Sequence, residues 1–274
     1  MFIFRKKLSL EEIGFNKGFL EAFYEKYQEV TKRHYGNNPA LDVLFKKNIG
    51  KELIITGSNP YAVILSNQIM KSVENLSNIR TSTQLEFHYV LSKYPFDLPK
   101  VYIESDLILR KVSDENKQYS EYFKKELDKI GIKLPARIPL QGLYIENNAK
   151  FPYEIEIKFS DNLDSKYKPV HTPVFNQKGQ FNNFDLQGNP IILKENIFYN
   201  PLTISFNQVN DAGLVRLIRN DERDLFSIQT DLTESDGRGR IIFVDQTYTQ
   251  TQNQQKDKNT NHNIKFKVKN ITLV

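Results

Sequence analysis

Residues 142–159, GLYIENNAKFPYEIEIKF, constrain the fold more than any other stretch of the chain. Tyr153, Ile155, Ile157 and Phe159 alternate with Glu154, Glu156 and Lys158, the period-two pattern of a strand with one dry face and one wet face. A preceding segment alternates in the same way and ends at Asn147-Asn148, so the stretch reads as a hairpin. It lies where a helix-rich first half gives way to strands.

Composition sets the outer limits. At 274 residues, 39% hydrophobic and 26% charged, the chain suits one large globular domain or two of ordinary size, and two are expected. No apolar run approaches the roughly 18 residues that cross a bilayer, so no membrane contact is expected. The opening MFIFRKKLSL puts its apolar residues ahead of its basic cluster, the reverse of a secretory signal, and export by that route is not expected. With no cysteine, thiolate catalysis, disulfides and cysteine-held zinc or iron-sulfur groups are excluded. Abundant Asn, Lys, Ile, Phe and Tyr with no Trp is the mark of AT-rich codons, pointing to a low-GC bacterium, phage, virus or organelle. Residues 1–150 hold 23 Lys+Arg against 18 Asp+Glu and the remainder 15 against 15, so the whole net charge of +5 lies in the first half. Spread over 150 residues, that surplus permits an acidic partner without singling one out.

In the first half, Phe19, Leu20, Phe23, Tyr24, Tyr27 and Val30 recur at helical steps over residues 16–34, with Gly36 as a stop. Pro39 opens a short helix, and KELIIT at 51–56 reads as a buried strand. Ser58 or Asn59 can cap a helix with Pro60 in its first turn and Val63, Ile69, Met70, Val73 and Leu76 facing inward. The strand, GSNP turn and helix raise a phosphate site, but the glycine spacing and lysine of a phosphate-binding loop are missing. Residues 85–91 and 101–109 both alternate, giving a hairpin with a long Pro-containing loop. If Leu91 faces Val101, His88 meets Glu104 and Glu86 meets Asp106, a weak metal candidate of one histidine and three carboxylates. Ser113, Asp114 and Glu115 start a helix with Tyr119, Tyr122, Phe123, Leu127 and Ile130 inward and Gly131 at its end. Pro135 and Pro139 then exclude regular structure, which divides the chain into residues 1–137 (an α+β domain) and 138–274 (a mainly-β domain).

The second half contains an irregular run at 160–189 and then short strands: PIILKENIFY, PLTISFNQV, LVRLIR, DLFSIQTDL, RIIFVDQTY and NIKFKVKNITLV. LVRLIR also fits a helical period, and the strand is preferred. The fold class expected is therefore α+β: a helix-rich N-terminal half with a β-hairpin, followed by a mainly antiparallel β-sandwich or barrel-like half. Residues 249–263 are too polar to pack and should project as an arm. Lys265, Lys267 and Lys269 form a ladder that contacts phosphates or, as the commoner use, guards a sheet edge. His34 sits in a helix's last turn, His171 in a loop between prolines, and Asp161 and Asp164 read as turn formers.

One catalytic motif is present. Glu156-Ile157-Lys158 matches the E-x-K of a metal-dependent nuclease, in which Glu156 and an upstream acid such as Glu146 hold a cation and Lys158 positions the attacking water. A polar strand face produces that triplet readily, and no Pro-Asp pair precedes it. The leading expectation is a non-enzymatic structural or adaptor subunit of a large protein assembly without a cofactor, such as the neck, tail or baseplate of a tailed phage. Its partners would be neighbouring protein subunits, including copies of itself, and its place the virion or the host cytoplasm. The alternatives are the nuclease and a nucleic-acid-binding module using the lysine ladder and the basic first half.

Overall fold

The computed structural model describes residues 17–42, 57–73, 77, 79–84, 86, 101–176, 179–181, 183–184, 190–191, 204–208, 213–220, 225–227, 230–245 and 271–273. Helix α1 spans Lys17–Val30, α2 Pro39–Asp42, α3 Pro60–Ser72 and α4 Lys117–Lys129. α1 follows its aromatic period, with Phe23 and Tyr27 buried, and continues into a π turn over Thr31–Tyr35 that ends at Gly36 (φ 60°). Asn59 caps α3, its side-chain oxygen accepting the Ala62 amide at 3.0 Å. That helix is buried on nearly every side rather than along one stripe, because strands and helices enclose it. α4 begins later than the acidic signal at 114–115 implies: the Ser113 hydroxyl bonds to the Glu115 carbonyl, and Asn116 is left-handed at φ 55°. Tyr119, Phe123 and Leu127 face the core, but Ile130 falls past the last turn and is exposed, since Gly131 (φ 72°) turns the chain away.

The strands are β1 (Ile79–Thr81), β2 (Tyr102–Leu109), β3 (Ala136–Pro139), β4 (Leu143–Asn147), β5 (Ile155–Phe159), β6 (Val170–His171), β7 (Gly179–Phe181), β8 (Asn183–Phe184), β9 (Pro190–Ile191), β10 (Ile204–Gln208), β11 (Leu214–Asn220), β12 (Leu225–Ser227), β13 (Gly239–Arg240), β14 (Ile242–Asp245) and β15 (Ile271–Leu273). The largest sheet runs β6-β3-β2-β11-β12-β10-β7, with β13 pairing alongside β2; smaller sheets are β1-β14-β15, β4-β5 and β8-β9. Pairing is antiparallel except at β10–β12 and β13–β2. The class is α+β, a mixture of helices and mainly antiparallel sheet. The described strands close no barrel.

β2 is buried on both faces. Leu107 and Leu109, with Leu214, Ala136 and Ile138, join the main core beneath α1, α3 and α4, while Ile108, Val215 and Leu217 form a second cluster with Val174, Phe175 and Leu225. Such a strand needs long-range neighbours on both sides. Of the hairpin expected between 85–91 and 101–109, residues 85 and 87–91 lie outside the described residues; Gln84 and Glu86 are helical, and β2 lies between β3 and β11. Pro135 and Pro139, expected to exclude regular structure, instead flank and end β3, positions where a missing amide costs a strand little. The 137/138 division drawn from them falls inside β3, and the main core takes side chains from both sides of it, with the Phe23 and Phe243 rings 4.9 Å apart. The run 160–189 holds 3-10 turns at Ser165–Tyr167 and Pro173–Asn176 together with β6, β7 and β8, and its Val174 and Phe175 are core residues. LVRLIR is a strand as expected. Residues 51–56, 249–263 and the lysines at 265, 267 and 269 lie outside the described residues.

Candidate functional site

The β4–β5 hairpin keeps the alternation read from sequence. Ile145 faces Ile157, Glu146 faces Glu156, and Ile155 and Ile157 are buried. The connection is not a tight turn at Asn147-Asn148 but residues 148–154, which include a 3-10 turn, and Tyr153 leaves the strand to stand exposed. Side chains seal both open edges in place of further strands. On one edge Gln68 of α3 accepts the Ile145 amide at 2.8 Å and donates to its carbonyl at 3.0 Å, where the Tyr35 hydroxyl also donates at 3.2 Å. On the other, the Tyr119 hydroxyl donates to the Ile155 carbonyl, and the Tyr122 hydroxyl accepts the Phe159 amide at 3.3 Å. Buried strand edges need such partners.

On the polar face the three residues of the E-x-K reading do come together. Glu146 and Glu156 stand directly opposite each other, an arrangement that repels, and Lys158 bonds to Glu146 while lying 3.2 Å from Glu156. Asn148 donates to Glu156 at 2.7 Å, and Glu156 is buried rather than an open surface position. The hydrogen bond to Glu146, helped by Glu156 and opposed by desolvation, raises the Lys158 ammonium above the usual lysine range. An ammonium already bridges the two carboxylates, so a metal ion entering there must displace it. Among the described residues, no group of three or more His, Asp or Glu side chains is placed to hold a metal.

The expected patch of Glu86, Glu104 and Asp106 is dispersed, and His88 lies outside the described residues. Between Leu217 and Ile218 the β2–β11 register slips: Leu217 faces Asp106 and Ile218 faces Glu104, leaving Ser105 as the extra residue of a bulge. The bulge turns Glu104 and Asp106 to opposite faces. Glu104 joins Arg216 on the main-core face, with the Arg216 Nε donating at 3.1 Å and a second bond from its NH2 group. Asp106 joins Arg137 on the other, at 2.7 Å, and accepts from Gln84 at 2.8 Å. Glu86 pairs with Arg80 through bonds of 2.6 and 2.7 Å. Burial pushes the Glu86 carboxyl up, but the charge and hydrogen bonds of Arg80, with the Thr83 amide and hydroxyl, outweigh it and hold it below the usual range. These arginines escaped the sequence reading. The signal available was a charge at an apolar-parity position, as at Arg216 between Leu214 and Ile218.

The other candidate positions lie in turns or bond within the chain. Residues 57–59 are buried: Gly239 accepts the Gly57 amide at 2.9 Å, Ser235 accepts the Ser58 amide at 2.9 Å, and Thr233 accepts from the Asn59 side chain at 3.1 Å. A Cβ on Gly239 would stand 2.4 Å from the Ser58 nitrogen, so the chain itself covers the turn proposed for phosphate. The His171 Nδ1 lies 2.9 Å from the Lys133 carbonyl, and the His34 carbonyl accepts from Asn147. Asp164 caps a 3-10 turn by accepting the Lys166 amide, and Asp161 lies in a turn. No family model, curated protein or solved structure matches this chain.

Proposed function

We propose that this chain is a non-enzymatic structural or adaptor subunit of a large protein assembly, of the kind that builds the neck, tail or baseplate of a tailed phage. What supports the reading is the use made of its acids: Glu86, Glu104, Asp106, Glu146 and Glu156 are each matched by Arg80, Arg216, Arg137 or Lys158 of the same chain. Charges so matched hold strands together. The AT-rich composition suits a phage, the mainly antiparallel C-terminal strands would stack as a sandwich, and the partners would be neighbouring subunits, copies of this chain among them, in the virion or the host cytoplasm. The test is the native mass of the purified chain and of the particle made when its neighbouring genes are expressed with it. Stoichiometric incorporation is expected, and a chain that stays monomeric and outside every particle overturns the reading.

The meeting of Glu146, Glu156 and Lys158 on one hairpin face favours a second reading, the E-x-K nuclease. Supercoiled plasmid incubated with the chain and magnesium separates the two. The subunit reading expects intact plasmid; cutting that disappears in Glu156→Gln establishes the enzyme.

A further inference from the structure

We infer that the tip of the β4–β5 hairpin is a contact surface for a second copy of this chain, with Tyr153 at its centre and Lys150 and Glu154 as reciprocal charge partners; the inference rests on the subunit reading above. Tyr153 and Glu154 have φ of 54° and 56°, a left-handed backbone that non-glycine residues rarely adopt, here twice in succession. The surroundings hold them there. Asn148 donates its amide to the Glu154 carbonyl at 2.7 Å, Glu154 donates to Phe151 at 3.0 Å, Asn38 donates its side chain to the Tyr153 carbonyl at 2.6 Å, and Gln118 bonds to the Lys150 carbonyl. The product of this strain is a displayed aromatic ring, 45% exposed, with its centroid 6.4 Å from that of Tyr61. Strain maintained by several contacts is characteristic of functional positions, and a rigidly held tyrosine is a typical interface anchor. Lys150 and Glu154 lie on the same 148–154 connection as Tyr153 and both are exposed, so the tip carries one charge of each sign. Nucleic acid requires a basic surplus, which the tip lacks. A two-fold axis through the tip instead sets Lys150 of each copy against the partner's Glu154, the self-complementarity that an isologous contact needs. So small a surface binds weakly in isolation and gains strength when many copies are held together.

The test is sedimentation of the full chain over a concentration series, with melting temperature measured in parallel. The wild type should shift reversibly from monomer toward dimer, and Tyr153→Ala should weaken the association about tenfold or more. Lys150→Glu and Glu154→Lys should each weaken it, and the double variant should restore it. Glu154→Asn removes the charge while suiting a left-handed backbone, so its melting temperature should rise as its association falls, opposite directions that a folding defect does not produce. A wild type that remains monomeric throughout, an association unchanged in Tyr153→Ala, or a double variant no better than the singles overturns the inference. Incorporation into a particle despite any of these results would leave the subunit reading standing without this contact.

Discussion

The β4–β5 hairpin and the strand β2 each carry two carboxylates that a period-two reading puts on one face, and they relieve the repulsion in opposite ways. In the hairpin the ladder stays regular, Glu146 and Glu156 remain opposed, and one lysine serves both. In β2 a bulge at Ser105 sends Glu104 and Asp106 to different faces, each with its own arginine. The difference is water. On the hairpin's half-open face, solvent shares in screening the second charge, so a single ammonium suffices. Inside the sheet Glu104 and Asp106 are buried from solvent, each buried charge needs its own counter-ion with hydrogen bonds, and the register yields to provide one.

The comparison breaks most visibly at Arg216. Replacing it with leucine leaves Glu104 buried without its counter-ion, and urea unfolding should show a loss of about 3–5 kcal/mol that hardly changes with salt. The double variant Glu104→Leu/Arg216→Leu should recover most of it; a single-variant loss below about 1 kcal/mol would mean that water reaches Glu104. Glu86→Gln should cost about 1–3 kcal/mol at pH 7 by removing a charged acceptor from Arg80. Because the Glu86 carboxyl is held below its usual range, its contribution is fully present above the unfolded-state value of about 4.3 and is lost as pH falls through the lower folded value. Acid titration of stability should therefore show a steeper decline below about pH 4 in the wild type than in Glu86→Gln. Lys158→Met, at the half-open hairpin, should cost only about 0.5–1 kcal/mol at low salt, and less as salt screens the opposed carboxylates.

Limited proteolysis extends the comparison to the whole chain. A division into units 1–137 and 138–274 expects cleavage between Leu134 and Leu140. The pairing of β3 with β2 and β6 expects that segment to resist until global unfolding.

Local chemistry was legible at several elements. The aromatic period of α1, the Asn59-Pro60 start of α3, the Gly131 stop after α4, the alternation of β4 and β5 and the strand at LVRLIR all follow from interactions within a few residues, which a sequence displays directly. So did the meeting of Glu146, Glu156 and Lys158, because a hairpin brings near neighbours together. Tertiary structure alone decided that β2 pairs with β11 and β3, that prolines border a strand, and that Ser105 bulges. It also decided that Glu104 finds Arg216, 112 residues along the chain. Alternation fixes which side chains share a face only while the ladder is regular and the neighbour is known. Both are settled by apolar burial and charge pairing summed over distant segments, quantities that no local window of sequence contains.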